Sequence, residues 1–134
     1  MCGIVSIHSS GTPLQDYEGI LEDMMETLYH RGPDGEGKVH IQNQALMGHR
    51  RLSIIDLENG KQPMISKDRR YSIIFNGEIY NYLELREELI SQGVAFYTTS
   101  DTEVLLNMLV QYDTDAIGKL NGMFSFVFHD RKQN

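Results

Sequence analysis

The sequence of 134 residues has one cysteine, no tryptophan and three prolines. A single cysteine cannot form a disulfide within the chain, and it argues for a reducing compartment. The formal net charge of -7 and the scattered basic residues leave no basic face for nucleic-acid phosphates. No apolar run is long enough for a membrane helix, and no signal-peptide start is present. These absences predict a cytoplasmic protein with neither a nucleic-acid nor a membrane partner.

Metal-ligating patterns are also lacking. The five histidines are far apart, and none has zinc-site spacing to the cysteine. We therefore expect no metal site in this chain. The apolar fraction of 40% and the charged fraction of 23% are ordinary for a globular protein, and the length suits one domain over residues 1–134.

Local patterns group the chain into clusters of strands and helices. Apolar residues at helical spacing predict helices over residues 16–29, 83–91 and 104–112. Short apolar or β-branched runs predict six strands, at residues 4–8, 38–41, 45–48, 52–57, 71–75 and 123–128. Because strands and helices do not alternate strictly, the sequence favours an α+β layered fold over a doubly wound sheet. Tyr80 and the aromatic side chains of the last strand are assigned to the core.

Cys2 follows the initiator methionine and precedes Gly3. Removal of Met1 would leave a thiol and a free α-amine on one residue, and that amine has an ordinary pKa of about 7.7–8.0. The amine could accept the thiol proton, so that one residue would supply both nucleophile and base. Taken alone, this start is more typical of an inert buried cysteine, since free cysteine usually serves as packing. The remaining motifs decide between the two interpretations.

Seven motifs follow one another over nearly the whole chain. They are Met-Cys-Gly-Ile (1–4), His-Arg-Gly-Pro-Asp (30–34), Gly-His-Arg-Arg-Leu-Ser-Ile-Ile-Asp (48–56), Gln-Pro-Met (62–64), Phe-Asn-Gly-Glu-Ile-Tyr-Asn (75–81), Thr-Ser-Asp-Thr-Glu (99–103) and Leu-Asn-Gly-Met-Phe-Ser-Phe (120–126). Together they resemble the glutamine amidotransferase domain of the asparagine synthetase family. The resemblance implies a four-layer α/β/β/α sandwich of the N-terminal-nucleophile hydrolase type. It also implies attack of the Cys2 thiolate on glutamine, release of ammonia, and hydrolysis of a glutamyl thioester to glutamate.

The resemblance further implies roles for individual residues. Asn76 and Gly77 match the oxyanion hole, where an amide side chain and a backbone N–H stabilise the tetrahedral intermediate. Without the resemblance, Asn-Gly would be more typical of a hairpin turn. Arg51 matches the arginine that binds the substrate α-carboxylate. Strand alternation predicts that the neighbouring Arg50 points to the opposite face.

Asp101 matches the carboxylate that pairs with the α-amino group of the substrate. An acidic residue in the first turn of a helix, however, also stabilises that helix. Glu78 is a second candidate for the same contact. The pocket wall is expected from the segment that follows the carboxylate-binding arginine, namely Leu52, Ser53, Ile54 and Ile55.

A histidine could replace the α-amine as the base, because Cys-His pairs are common in thiol hydrolases. His30 and His49 are the two candidates that lie within motifs. The stretch at 30–34 follows a predicted helix, however, and is more typical of a structural turn near the site. We favour the α-amine of Cys2 as the base.

The resemblance covers this chain but only part of the family's proteins. In the family the domain continues with further strands, and an ATP-dependent synthetase domain follows. No glycine-rich phosphate loop occurs in this sequence. We therefore expect an N-terminal portion of the sandwich that needs no cofactor of its own, with ATP and Mg²⁺ serving only the C-terminal synthetase domain. A homodimer is left open. The alternatives are a glutamine-binding or assembly module without turnover, and a domain that serves an amino sugar or polysaccharide precursor.

Overall fold

Two antiparallel sheets form the centre of the computed structural model, which describes residues 2–53 and 60–133. The first sheet contains β1 (Gly3–His8), β2 (Gly35–Ile41) and β3 (Ala45–Arg51), in the order β1-β3-β2. The second contains β4 (Met64–Ile65), β5 (Tyr71–Ile79) and β6 (Gly122–Asp130), in the order β4-β5-β6. Three α-helices accompany them, α1 (Glu18–Thr27), α2 (Tyr82–Ser91) and α3 (Asp101–Tyr112).

Helix α1 covers the outer face of the first sheet. Side chains alternate along a strand, so Leu46 and Gly48 of β3 share this face. Leu21 and Met25 of α1 form a buried cluster with Leu46. Gly48 allows the close packing of the helix, because a Cβ atom there would lie 2.5 Å from the sulfur of Met25.

The inner faces of the two sheets pack against each other. Ile41, Ala45 and Met47 of the first sheet form one buried cluster with Ile74 of β5. The same layer holds a polar link between the sheets, since the buried His49 on β3 donates its Nε2 hydrogen to the carbonyl of Phe75 at 3.0 Å.

Helices α2 and α3 cover the outer face of the second sheet. Phe75 and Ile79 of β5 lie in one buried cluster with Leu89 of α2 and with Leu105 and Met108 of α3. The order of layers is therefore α1, first sheet, second sheet, and α2 with α3, which confirms the predicted α/β/β/α arrangement. No helix in the described ranges is long and apolar enough to cross a bilayer.

Gly93 and Ser100 lie at the ends of two helices. Gly93 ends α2 with φ of 89°, a conformation that glycine adopts without strain. Ser100 caps α3, and its hydroxyl accepts the N–H of Thr102 at 3.1 Å. The carboxylate of Glu103 does not complete a capping box, because it accepts the N–H groups of Tyr97 and Thr98 instead.

Two expectations about local structure are wrong, and a third falls mostly outside the described residues. β5 does not end at Asn-Gly but continues to Ile79, since Gly77 pairs with Phe124 of β6. A Cβ at Gly77 would lie 2.2 Å from the carbonyl oxygen of Met123, so the pairing requires glycine there. Tyr80 is 53% exposed and does not belong to the core. The strand predicted at 52–57 falls mostly outside the described residues, and its first two residues are not in a strand.

The aromatic side chains of β6 do join the core. Phe124, Phe126 and Phe128 occupy alternate positions on the strand and pack, partly buried, against the cluster beneath α2 and α3. The prediction for this strand is therefore confirmed.

A pair of glycines on β2 tests the packing between the sheet and the chain segment before β4. A Cβ at Gly37 would lie 2.1 Å from the carbonyl oxygen of Gln62, whereas one at Gly35 would meet nothing closer than 3.9 Å. We expect Gly37→Ala to lower the free energy of unfolding by about 1–3 kcal/mol through overpacking. Gly35→Ala should change it by less than about 0.5 kcal/mol. Urea unfolding followed by circular dichroism measures both, and equal values would contradict the described packing.

Candidate active site

Cys2 lies directly before β1, at the end of the first sheet where β3 finishes. Its side chain is on the same strand face as Ile4, which belongs to the layer between the sheets. The Cys2 sulfur accepts the backbone N–H of Leu52 at 3.3 Å and lies 3.6 Å from the carbonyl oxygen of the same residue. One peptide segment thus holds the thiol through both a donor and an acceptor.

The turn at residues 30–34 forms hydrogen bonds with the backbone on both sides of the contact between Cys2 and Leu52. The Nε hydrogen of Arg31 is donated to the carbonyl of Cys2 at 3.1 Å. On the other side, the N–H of Asp34 donates to the carbonyl of Arg51 at 2.9 Å, and the Asp34 carboxylate accepts the N–H of Ser53 at 2.9 Å. Gly32 makes the approach possible, since a Cβ there would lie 2.4 Å from the backbone of Arg50 on β3. The turn is structural and adjoins the thiol, as the sequence indicated.

A cavity of about 180 Å³ opens beside Cys2. Seven residues singled out in the sequence line it together: Cys2, Arg51, Leu52, Asn76, Gly77, Glu78 and Asp101. They come from four places in the chain, namely the start of β1, the end of β3, the end of β5 and the start of α3. The fold therefore collects distant motifs around one space.

Asn76 supplies a polar group to this cavity from β5. Alternation places its side chain on the face opposite Phe75, toward the first sheet. The Oδ1 atom is buried and has no hydrogen-bond partner among the residues that the structure describes. Because leaving a buried amide oxygen unpaired costs free energy, this oxygen is suited to accept a hydrogen bond from a ligand. The backbone of Gly77 follows directly.

The charges of the cavity have both signs. Asp101 is the first residue of α3, is 5% exposed, and accepts the N–H of Ile79 at 3.2 Å. Burial raises the pKa of the Asp101 carboxyl, and the nearby charge of Glu78 raises it further. A cation bound beside the two carboxylates would relieve this unfavourable electrostatic state. With the guanidinium of Arg51 in the same cavity, the lining suits a ligand that carries both a carboxylate and an ammonium group.

The two adjacent arginines have different surroundings. Arg50 points to the outer face, where it forms ion pairs with Glu26 of α1 at 2.6 Å and with Glu36 of β2 at 2.8 Å. Arg51 lines the cavity on the opposite face. This division agrees with the strand alternation predicted for the pair.

Neither candidate histidine is among the described lining residues of the cavity. His30 is exposed in a 3-10 turn (Tyr29–Arg31). His49 is only 1% exposed, and its Nε2 is occupied by the carbonyl of Phe75. Burial lowers the pKa of His49 to about 4, helped by the charge of Arg51, so the imidazole is neutral near pH 7. His49 thus links the two sheets, and His30 lies on the surface.

The remaining predicted wall residues have separate outcomes. Ser53 follows Leu52, and its backbone is held by Asp34. Ile54 and Ile55 lie outside the described residues. Within the described ranges, no group of three or more histidine, cysteine or acidic residues could hold a metal ion.

Gln62 is a lining residue to which the sequence assigned no role. Its Oε1 accepts the N–H of Phe75 at 2.6 Å, and its Nε2 donates to the hydroxyl of Thr102 at 3.3 Å. The available signal was the Gln-Pro-Met motif at 62–64, which stands out in the sequence without indicating a chemistry. Ser100, Thr102 and Met123 also line the cavity and were not singled out for it.

Comparisons with known proteins agree with this arrangement. A family described as "Glutamine amidotransferase domain" matches residues 1–134. Asparagine synthetase [glutamine-hydrolyzing] 1 of Bacillus subtilis is 47% identical over 136 residues, which include 100% of this chain and 21% of the relative. A probable asparagine synthetase [glutamine-hydrolyzing] of Schizosaccharomyces pombe is 38% identical over 134 residues, with 24% of its length covered. The chain thus spans less than a quarter of either relative.

Solved structures show the same fold. The glutamine phosphoribosylpyrophosphate amidotransferase of Bacillus subtilis, complexed with ADP and GMP, superposes with a TM-score of 0.55 at 27% identity. The superposition covers 67% of this chain and 22% of that one. The predicted N-terminal-nucleophile hydrolase architecture is therefore confirmed by structure as well as by layer order.

The neutral state of His49 has a consequence for stability. Its pKa is about 4 in the folded protein against an ordinary 6.5, so the unfolded chain binds more protons between these values. The stabilisation of the folded state that depends on neutral His49 is complete above pH 6.5. As the pH falls toward 4, the free energy of unfolding decreases by up to about 3 kcal/mol through this residue. In His49→Gln, an amide can still donate to the Phe75 carbonyl but does not titrate. Unfolding free energies measured from pH 7 to pH 4 should fall less steeply in this variant, and equal slopes would contradict the assignment.

Proposed function

We propose that this chain, which belongs to the glutamine amidotransferase domain family, hydrolyses glutamine to glutamate and ammonia through a thioester on Cys2. The observation that carries the proposal is the shared cavity. A thiol, an amide side chain, a guanidinium and a buried carboxylate, from Cys2, Asn76, Arg51 and Asp101, all line it. Glutamine presents a carboxamide, a carboxylate and an ammonium group, and each has a complementary partner in this set.

Binding uses the charged ends of the substrate. Arg51 forms a forked pair with the α-carboxylate, and Asp101 accepts hydrogen bonds from the α-ammonium group with Glu78 as a second anion. The ammonium offsets the burial and the Glu78 charge that raise the pKa of the Asp101 carboxyl. Leu52 lines the cavity beside the thiol, and Ser53, Ile54 and Ile55, which follow it in the sequence, are proposed as further contacts for glutamine.

The chemical step begins at Cys2. Once Met1 is removed, the free α-amine takes the proton of the thiol, and the thiolate attacks the side-chain carbonyl carbon of glutamine. The negative charge passes to the former carbonyl oxygen, which is stabilised by the Asn76 amide and the Gly77 N–H. The protonated α-amine of Cys2 then returns this proton to the leaving nitrogen, so that ammonia departs and a glutamyl thioester remains. Water attacks the thioester, releases glutamate and restores the thiol.

The ammonia requires an acceptor. Relatives that match the whole chain are named asparagine synthetases, and the matched portion is less than a quarter of each. We propose that the ammonia serves a C-terminal ATP-dependent synthetase domain, where ATP and Mg²⁺ would be used, and that the activity is cytoplasmic. A homodimer is part of the same proposal. An amino sugar or polysaccharide precursor is the alternative acceptor.

The first test is the release of ammonia and glutamate from glutamine by protein whose mass shows that Met1 has been removed. We expect the two products in equal amounts, and we expect Cys2→Ala to lower the rate by about 10³-fold or more because it removes the nucleophile. Calorimetric titration of the same samples with glutamine is the companion measurement. Unchanged turnover in Cys2→Ala would refute the mechanism, and glutamine binding without hydrolysis would favour a module without turnover.

The second test concerns the base. Retention of Met1 turns the α-nitrogen of Cys2 into an amide, which cannot accept the thiol proton. We therefore expect protein that retains Met1 to be inactive in glutamine hydrolysis and protein that lacks Met1 to be active. Intact mass distinguishes the two preparations. Full activity in protein that retains Met1 would show that another group acts as the base.

A further inference from the structure

The segment before β4 interrupts the edge of the second sheet in an unusual way. β4 pairs with β5 through only two residues, Met64 with Ile73 and Ile65 with Ser72. Continuing this register would place Gln62 opposite Phe75. The backbone carbonyl of Gln62, however, lies against Gly37 of the first sheet. The side chain replaces the missing ladder bond, since Oε1 accepts the Phe75 N–H at 2.6 Å.

The other end of the same amide reaches α3. Its Nε2 donates to the hydroxyl of Thr102 at 3.3 Å, and Thr102 is buried. Phe75 directly precedes Asn76, and Thr102 directly follows Asp101. A single side-chain amide therefore joins the peptide next to the oxyanion donor to the residue next to the ammonium-binding carboxylate. Gln62 lines the cavity between them.

We infer that Gln62 is a positioning residue that sets the spacing between the carboxamide end and the ammonium end of the substrate pocket. The inference rests on the proposed glutamine hydrolysis. Glutamine has a defined length, so it can engage both ends together only if β5 and α3 keep their separation. Preorganisation of the two ends strengthens binding of a ligand that contacts both, and a small displacement of β5 from α3 weakens it.

A pair of variants at Thr102 separates positioning from general packing. Thr102→Val keeps the shape of the side chain and removes the hydroxyl that accepts from Gln62, whereas Thr102→Ser keeps the hydroxyl. Gln62→Met is similar in length and removes both hydrogen bonds. The double variant Gln62→Met with Thr102→Val tests whether the two residues act as one unit.

The readout is protection of Cys2 from alkylation. Cys2 is the only cysteine of the sequence, so intact mass reports its reaction with iodoacetamide without ambiguity. The reagent has neither a carboxylate nor an ammonium group and so does not depend on the spacing of the two ends. Glutamine added at increasing concentration gives a half-protecting concentration for each protein, with or without turnover.

We expect the half-protecting concentration to rise about tenfold in Thr102→Val and in Gln62→Met, the loss typical of one to two hydrogen bonds. Thr102→Ser should remain within about twofold of the unaltered chain, and the double variant should be no weaker than Gln62→Met. The alkylation rate without glutamine should be the same in all five proteins. This pattern supports positioning, because a disordered site would change the rate as well.

Other outcomes overturn the inference. Unchanged protection together with a lower melting temperature would make Gln62 a structural residue only. Additive losses in the double variant would show that the two residues act independently. If Gln62→Met does not fold, the Thr102→Val and Thr102→Ser pair decides alone. Failure of glutamine to protect the unaltered chain would refute the proposed function itself, and this inference with it.

Discussion

The hydrogen bond from the Leu52 N–H to the sulfur of Cys2 is the contact around which the site is arranged. It joins residues 50 positions apart in the sequence. Two features of the fold make it possible. β1 pairs with β3 so that Gly3 faces Arg50, which brings the start of one strand to the end of the other. The turn at 30–34 then holds the backbone on both sides of the contact through Arg31 and Asp34.

The electrostatics of the cavity favour a ligand that carries an ammonium group. A buried carboxylate is unfavourable without a cation, and Asp101 is both buried and close to the charge of Glu78. The energy of this arrangement is lowered by an ammonium group and not by a neutral ligand. His49 is neutral near pH 7 and adds no positive charge next to the cavity. Arg51 is the cationic side chain of the described lining.

Several parts of the fold could be predicted because they depend on local periodicity. The alternation of β3 separated Arg50 from Arg51, and the helical spacing located α1, α2 and α3 within a few residues. Other parts could not. Asn76-Gly77 has the composition of a turn, but pairing with β6 keeps it extended. Tyr80 is an aromatic residue of the kind expected in a core, yet it is half exposed just after β5 ends. For Asn76-Gly77, pairing with a strand distant in sequence outweighs the local preference.

By itself, the sequence determined the chemical groups of this protein and their order along the chain. It supplied one cysteine beside the start, an arginine on a strand, an Asn-Gly pair and an acidic residue at a helix cap, and it indicated the layered fold. The tertiary structure decided which of these groups meet. It assigned His49 to a link between the sheets and gave Gln62 its place between β5 and α3. The physical reason is that residue type and periodicity set the face on which a side chain lies. Contacts across 13 to 50 positions instead depend on strand register and on how the two sheets stack.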